Sequence, residues 1–433
     1  MVTIARALQR LVNLDGYEFI TELYKELLSR EPHAAEFDYC ANMLDFGTPK
    51  LTLVAELLQS EESALHNVLR NTDAPKGAYW STLEWFHTFR AQFPNSGAVY
   101  MPLPSDDSAI SFDQPGLPFL FDPGMPPQQF VAVVPEGRVA GPSGSVISPD
   151  NMLLWDVGIE FNKPAEPQYH SVFSEWSYLE AASTRETVGV LTSPGSYNYY
   201  HWMFDVLPRI EMMRQSGLQV DRYVVNRAGG HAFQQETLEM FGISEEQLIE
   251  CGEHLHLKAR RLVVPSMAGF SGHMPKLACV LLRQAMLTKG RRPAHVQSRR
   301  IYISRSLAEN RRILNEHEVI EHLQRFGFQP LTLETMSVAE QIAVFADAEA
   351  VVAPHGAGLA NLVFCRPGTK IVELYHPGSV NPCYLALCQK VGLVHRGIVG
   401  EEHPSHPDRP CRPGDMDVDI GRLNVELQYH AIL

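Results

Sequence analysis

Several familiar signatures are missing from this chain, and each absence removes a class of answer. No apolar run approaches the roughly 18–20 residues that cross a bilayer as a helix, so no membrane-spanning helix is expected. The first residues, MVTIARALQRLVNLDGYEF, hold no continuous apolar segment followed by a small-residue cleavage site, which argues against a secretory signal and for a cytoplasmic location. The seven cysteines (40, 251, 279, 365, 383, 388, 411) are odd in number and never spaced as CxxC, a pattern that suits buried free thiols better than disulfides or a zinc ribbon. An excess of positive charge is also lacking. The formal net charge of −14 argues against nucleic acid as the main partner, because phosphate-backbone binding needs a basic surface. A G-x-S-x-G nucleophile elbow is absent too: GFSGH (269–273) lacks the final glycine, which sets serine hydrolases aside.

What is present is an ordinary globular balance, 45% apolar and 20% charged, in a chain of 433 residues, long enough for two or three domains. Residues 1–72 read as a small all-α module: Asp15 with Glu18 resembles a capping box, and Phe19, Ile20, Leu23, Tyr24, Leu27 and Leu28 recur at helical spacing. Thr48-Pro49 opens a further helix. Residues 73–127, rich in Pro, Gly, Ser and Asp, read as a linker with irregular packing. From Phe130, Gly-containing turns separate short antiparallel strands, and VGVLT, YVVN and RLVVP add strands between helices, giving one α/β unit over 128–290. His254 and His256, alternating beside a strand, read as surface residues. From 291 to 433, strands IYIS, PLTL, AVVAP, KIVELY and VHRGIV alternate with helices on short connections, the pattern of a doubly wound parallel sheet. Asn315 is placed to cap one of these helices, and Ser337 with Glu340 to box the next.

Ligands of such sheets bind beyond the carboxyl ends of the strands. Arg305 follows IYIS directly. His355-Gly356-Ala357-Gly358 follows VVAP and opens a helix, where small residues let a ligand approach free backbone N–H groups. Glu373 lies 17 residues past Gly356, near where a ribose-binding acid lies in dinucleotide folds. Together these describe a pocket for a nucleoside diphosphate. The stretch Lys289–Arg312 supports it with eight cations against one acid, Glu309. Each member also has a plainer reading: a glycine for a tight turn, Arg311 and Arg312 as a solvated face, Glu373 paired with a neighbouring arginine. The D-x-D pattern at Asp415 and Asp417 reads as a surface strand rather than a metal–diphosphate site.

A second group lies in SYNYYHWMFDVLPR (196–209). On a helix, His201, Asp205 and Arg209 would stack on one face, as a surface ion-pair ladder or as the wall of a reaction site. Pro208 removes the N–H that would bond Phe204, so a bend is expected just after the polar pair.

YNYYHWMFDVLPRI, RRIYISRSLAENRRILNE and SVAEQIAVFADAEAVVAPHGAGLANLVFCRPGTKIVEL, in that order, resemble glycosyltransferase family 61 over about residues 130–425. The resemblance implies two Rossmann-like halves of the GT-B type, the first on the acceptor side and the second binding a nucleotide sugar such as a UDP-sugar. It implies inversion at the anomeric carbon; because arginines and a helix N-terminus can hold the leaving diphosphate, no cofactor or metal is expected. By motif, Arg305, Arg311, Arg312, His355, Gly356, Ala357, Gly358, Leu359 and Glu373 fall to the donor side, and His201 and Asp205 to the catalytic, acceptor side. Either of the last two could be the base, a histidine held by a carboxylate being suited to that work near neutral pH. Bacterial members of the family accompany capsule, lipopolysaccharide or other surface-glycan synthesis. The acceptor would then be a glycan, free or lipid-linked, met in the cytoplasm or at the inner face of the membrane. FITELYKELLSREPHAAEFDYCANML resembles phycobilisome-linker-like helical modules, which implies assembly. The alternative, from another class, is a non-catalytic glycan- or nucleotide-binding scaffold acting through that module.

Overall fold

The computed structural model describes residues 10–28, 30–60, 62–63, 74–104, 128–161, 163–164, 166–173, 180–227, 230–268, 274–402 and 414–429. Near the N-terminus, helices Gly16–Leu28, Ala34–Asp45 and Lys50–Leu58 pack around Phe19, Ile20, Leu23, Cys40, Leu53 and Val54. Among the described residues, that apolar cluster draws on 11–58. Arg30 ties the connections together through Glu36 and Glu62, both at 2.7 Å.

Among the described residues the first sheet has ten strands. A run of neighbouring strands in it is parallel, in the order His256–Pro265, Ala182–Val190, Arg222–Val225, Leu248–Glu250, and at the far edge Ala78–Tyr79 pairs parallel with Leu153–Leu154. Antiparallel strands extend it on the other side, with Phe130–Pro135 and Arg138–Ala140 both pairing His256–Pro265. Residues 74–104 are not an irregular linker. Helix Thr82–Gln92 buries Trp85 and Phe89 against the sheet, and strand Val99–Pro102 pairs with Phe130–Pro135. The signal was legible: Ser81 accepts from the Glu84 N–H at 3.1 Å, a capping pattern in STLE followed by aromatics four apart. The rest of the expected linker, 105–127, lies outside the described residues.

The second sheet is wholly parallel, in the order Phe328–Leu331, Arg300–Ile303, Ala350–Pro354, Lys370–Tyr375, Val394–Val399. Its inner strands are covered on both faces, which is why AVVAP and KIVELY read as nearly unbroken apolar runs. Strand order reverses between Arg300–Ile303 and Ala350–Pro354, so a crevice opens at their carboxyl ends.

One apolar cluster runs through both sheets' helical layers, from Trp202 and Phe204 to Phe364 and Leu387. Polar ties cross the same boundary. Glu236 accepts from the N–H groups of Val338 and Ala339 at 2.7 and 2.9 Å, and Arg283 donates to Cys365 O at 2.8 Å. Two local expectations change. Asn315 does not cap its helix by side chain; it bonds the backbone of Val418 in both directions, at 2.9 and 3.0 Å. His256 is buried beside Arg138 rather than exposed, 3.0 Å from its guanidinium. No helix among the described residues is long and apolar enough to cross a membrane.

Candidate functional site

The loop after strand Ala182–Val190 is held from two sides. Asn226 accepts from the Ser193 N–H at 2.9 Å and donates to Ser193 O at 2.8 Å, while Gln234 donates to Ser196 O at 2.8 Å. Asn198 then starts a helix by accepting from the Tyr200 N–H at 2.9 Å. The first turn, Tyr199–His201, passes into a π-helical turn at Trp202–Val206 and returns to α-helix at Leu207–Gln215. The Leu207 N–H reaches back five residues to Trp202 O, so the ladder changes register just before Pro208, whose missing N–H could not have continued it.

His201 and Asp205 meet across this turn, Nδ1 to Oδ2 at 2.7 Å, with Asp205 buried and His201 16% exposed. A carboxylate only accepts, so Nδ1 carries the proton and Nε2 is left to the surroundings. The ring lies on Gly195, where a Cβ would come within 2.5 Å of His201 Cγ. Arg209 does not join them. The extra residue of the π turn rotates it off that face, and it is fully buried, donating to Thr192 O at 2.6 Å and Pro265 O at 3.2 Å. The surface ion-pair ladder is therefore excluded. Burial lowers the Arg209 guanidinium to about 10, and its work is to hold together the ends of strands Ala182–Val190 and His256–Pro265.

On the second sheet, Arg305 and the HGAG turn flank the crevice where strand order reverses. A Cβ at Gly356 would run into Arg305 Nη1, so glycine is what lets the guanidinium lie there. Arg305 donates to Asn310 O at 3.0 Å, while its buried Nε has no partner. Burial lowers this guanidinium, and the nearby Arg311 pushes it the same way. Arg311 adopts a left-handed backbone (φ 55°) that side chains rarely tolerate, and makes no ion pair among the described residues. Glu316 accepts from the Arg305 backbone N–H at 3.3 Å and Glu334 lines the same crevice, its charge favouring the Arg305 cation, but neither guanidinium is in an ion pair with a carboxylate among the described residues, which leaves both free to meet an anion.

The other members of the expected donor group separate. Arg312 is bound by Asp415, whose carboxylate accepts from its side chain at 2.6 Å and its backbone N–H at 2.9 Å. That contact takes up the Arg312 guanidinium and also occupies the first acid of the D-x-D pattern. Asp417 lies in a short strand, Met416–Asp417, paired with Glu401–Glu402. Elsewhere in the basic stretch, Arg292 and Arg299 pair with Asp347, and Arg300 with Glu349, so the stretch is a series of ion pairs and not one positive surface. Gly356, Ala357 and Gly358 do lead into a helix, the 3₁₀ turn Ala357–Phe364; Gly358 borders the crevice, and a Cβ there would lie 2.7 Å from Leu333. Leu359 is buried at the floor of the crevice, and its N–H is taken by Gly356 O at 3.0 Å.

Glu373 is 0% exposed and cannot reach a ribose. One oxygen accepts from His355 Nδ1 at 2.5 Å; the other accepts from Tyr375 OH at 2.7 Å and His395 Nε2 at 2.8 Å. Burial alone would raise this carboxyl, but the bonds and charge of the two histidines hold it at about 2. His395 and Tyr375 were missed in the sequence because their strands look like plain core.

The two groups are joined through residues not singled out beforehand. Tyr199 OH donates to Asn361 Oδ1 at 2.9 Å, linking the YNYYHW and HGAGLAN motifs directly. Tyr200 packs edge-on to His201 (5.3 Å) and to Tyr384 (5.8 Å), and Tyr384 lies 5.2 Å from the His355 ring. Burial raises both tyrosine hydroxyls well above their ordinary range, so they remain neutral. A larger hollow of about 460 Å³ lies at the ends of strands Arg222–Val225 and Leu248–Glu250, beside Arg227, Gln234, Glu245 and Glu250. Its arginine is already consumed by Glu245 and Glu250, so it suits hydroxyl groups rather than phosphate.

The His201–Asp205 pair and the arginine crevice are thus linked through Tyr200, Tyr384 and the His355 ring. Residues 199–372 are similar to the family Glycosyltransferase 61. The matched segment contains His201, Asp205, Arg305 and the HGAG turn together with Tyr199 and Tyr200, and ends just before Glu373 and Tyr384. Residues 7–67 match a separate family, a domain of unknown function (DUF4214). Among curated relatives, the protein O-linked-mannose β-1,4-N-acetylglucosaminyltransferase 2 of Takifugu rubripes is 37% identical over 123 residues, 26% of this chain and 21% of the relative. The human protein of that name is 33% identical over the same length and coverage. The EGF domain-specific O-linked N-acetylglucosamine transferase of Drosophila melanogaster is 30% identical over 108 residues, 24% of this chain and 20% of the relative. The chain thus matches about a fifth of the length of these relatives.

Proposed function

We propose that this protein is a glycosyltransferase that moves a sugar from a nucleotide-sugar donor to a hydroxyl of a glycan acceptor, with inversion and without a metal. The observation that carries the reading is the pair Arg305 and Arg311, two guanidinium groups in no ion pair among the described residues, at the sheet's reversal point, with Tyr200 and Tyr384 linking the His355 ring there to His201–Asp205. In this reading the two sheets are the halves of a GT-B-like fold, about 128–290 and 291–433, with residues 74–104 belonging to the first. The diphosphate sits against Arg305, Arg311 and the HGAG turn, which stabilise the charge that grows as the C1–oxygen bond breaks. His201 Nε2 takes the proton of the attacking hydroxyl, and Asp205 holds the ring in the required tautomer.

The hollow beside Gln234 is on the acceptor side of this arrangement. The named relatives point to O-linked mannose and EGF-domain acceptors for those proteins. A capsule or lipopolysaccharide acceptor for this chain, met in the cytoplasm or at the membrane's inner face, follows from the motif resemblance, and an assembly role for residues 1–72 from their separate likeness to linker modules. A panel of nucleotide sugars screened for thermal stabilisation tests the donor side, since a bound ligand raises apparent stability with the logarithm of its excess over Kd. Slow donor hydrolysis by the stabilising member is the expected companion result. Stabilisation by none of the panel would overturn the proposal.

A further inference from the structure

Glu373 poses a question of its own: what a fully buried carboxylate with three donors around it is for. It sits mid-way along strand Lys370–Tyr375, between His355 at the end of one neighbouring strand and His395 in the other. The His355 ring is fixed on three sides, by the 2.5 Å bond to Glu373, by stacking on Tyr375 at 5.7 Å and by Tyr384 at 5.2 Å. Its Nε2 has no protein partner among the described residues. The next residue is Gly356, whose absent side chain leaves room for the Arg305 guanidinium.

We infer that Glu373 is a positioning residue: backed by His395 and Tyr375, it locks the His355 imidazole so that Nε2 is presented to the donor's diphosphate beside Arg305. This inference rests on the glycosyltransferase reading. A carboxylate is suited to the task because it accepts only, and so dictates that the protons sit on His355 Nδ1 and His395 Nε2. During transfer the acceptor oxygen bonds C1 as the bond from C1 to the diphosphate breaks. The hydroxyl proton goes to His201, and the electron pair stays on the departing oxygen. A His355 ring carrying a second proton donates from both nitrogens, one bond to Glu373 and one to that oxygen. No proton need leave the ring. Glutamine at 373 keeps the size but turns one acceptor into an amide donor, which must then face a donor from His355, His395 or Tyr375.

The test uses the full chain with nitrogen-15 histidine and UDP as probe, read by long-range proton–nitrogen spectra that separate Nδ1 from Nε2. The His355 signals are assigned by their loss in His355→Asn. In the wild type, UDP should shift His355 Nε2 while Nδ1 stays protonated. Glu373→Gln should change the Nδ1 signature and weaken UDP binding about tenfold or more, with the circular dichroism unchanged. UDP bound to the wild type without moving His355 Nε2 would overturn the inference and leave the glycosyltransferase reading standing. Wild-type UDP affinity with a wild-type His355 signature in Glu373→Gln would do the same. If Glu373→Gln does not fold, the wild-type titration decides alone. Failure of UDP, GDP, CDP and ADP all to bind the wild type would overturn the function reading, and this inference with it.

Discussion

At the scale of single residues, the clearest prediction concerns the dyad on the π turn. If His201 is the base and Asp205 its orienting partner, His201→Ala and Asp205→Asn should each lower turnover by roughly 10² to 10⁴-fold while leaving donor affinity nearly unchanged. The double variant should cost little more than the worse single one, because the two act as a unit. Near-wild-type turnover per folded molecule in both singles would end the catalytic assignment. Arg305→Ala should instead weaken binding of the nucleoside diphosphate by about 1.5–3 kcal/mol in calorimetry, the loss of a charge-assisted bond. Glu373 makes a pH prediction with a definite sign. Its carboxyl is held near 2 in the fold against 4.5 when unconstrained, so its stabilising contribution is full above 4.5 and disappears as pH falls towards 2. Urea midpoints at pH 5 and pH 3 should therefore drop more steeply in the wild type than in Glu373→Gln.

At the scale of elements, two features set the site and neither is a regular helix or strand. The π turn Trp202–Val206 keeps His201 and Asp205 in contact but carries Arg209 to the strand ends, so three residues spaced evenly in sequence serve two different purposes. The turn Gly195–Asn198 is just as specific, since the His201 ring occupies the space of a Gly195 side chain. A second element-scale device is the cap that one half supplies to the other. Glu236 closes the first N–H groups of helix Val338–Asp347 although it belongs to helix Ala232–Met240. Glu236→Gln should lower global stability by about 1 kcal/mol, from the weakened cap and its interaction with the helix dipole. An unchanged urea midpoint would show that this contact contributes nothing measurable.

At the scale of the whole molecule, the parts differ in independence. The N-terminal helices bury their own apolar stripe among residues 11–58, so a chain beginning near residue 75 should stay folded and still bind donor. A chain beginning at 128 should not, because it loses buried Trp85 and the strand Val99–Pro102 that pairs with Phe130–Pro135. Melting curves and UDP titrations of the two truncated chains check both statements. The sheets themselves share one apolar cluster and several polar ties, so a single cooperative transition is expected for residues 75–433.

The order and type of the C-terminal elements were legible because each depends on neighbours in sequence. Short, nearly unbroken apolar runs gave the strands Ala350–Pro354 and Lys370–Tyr375 to the residue, and the Ser337–Glu340 box started its helix where expected. The contact of His201 with Asp205 was equally local, four residues apart on one turn. What only the tertiary structure decided is partner choice at long range. Arg312 and Asp415 lie 103 residues apart, and their pairing removed an arginine from the donor group and an acid from the metal-like motif in one step. Glu373 looked like a ribose ligand by spacing, yet its oxygens are taken by His355, Tyr375 and His395, which adjacent strands bring to it. Spacing along the chain sets which face a side chain takes on its own element. Which charge it then meets is set by sheet order and packing, and no local pattern carries that information.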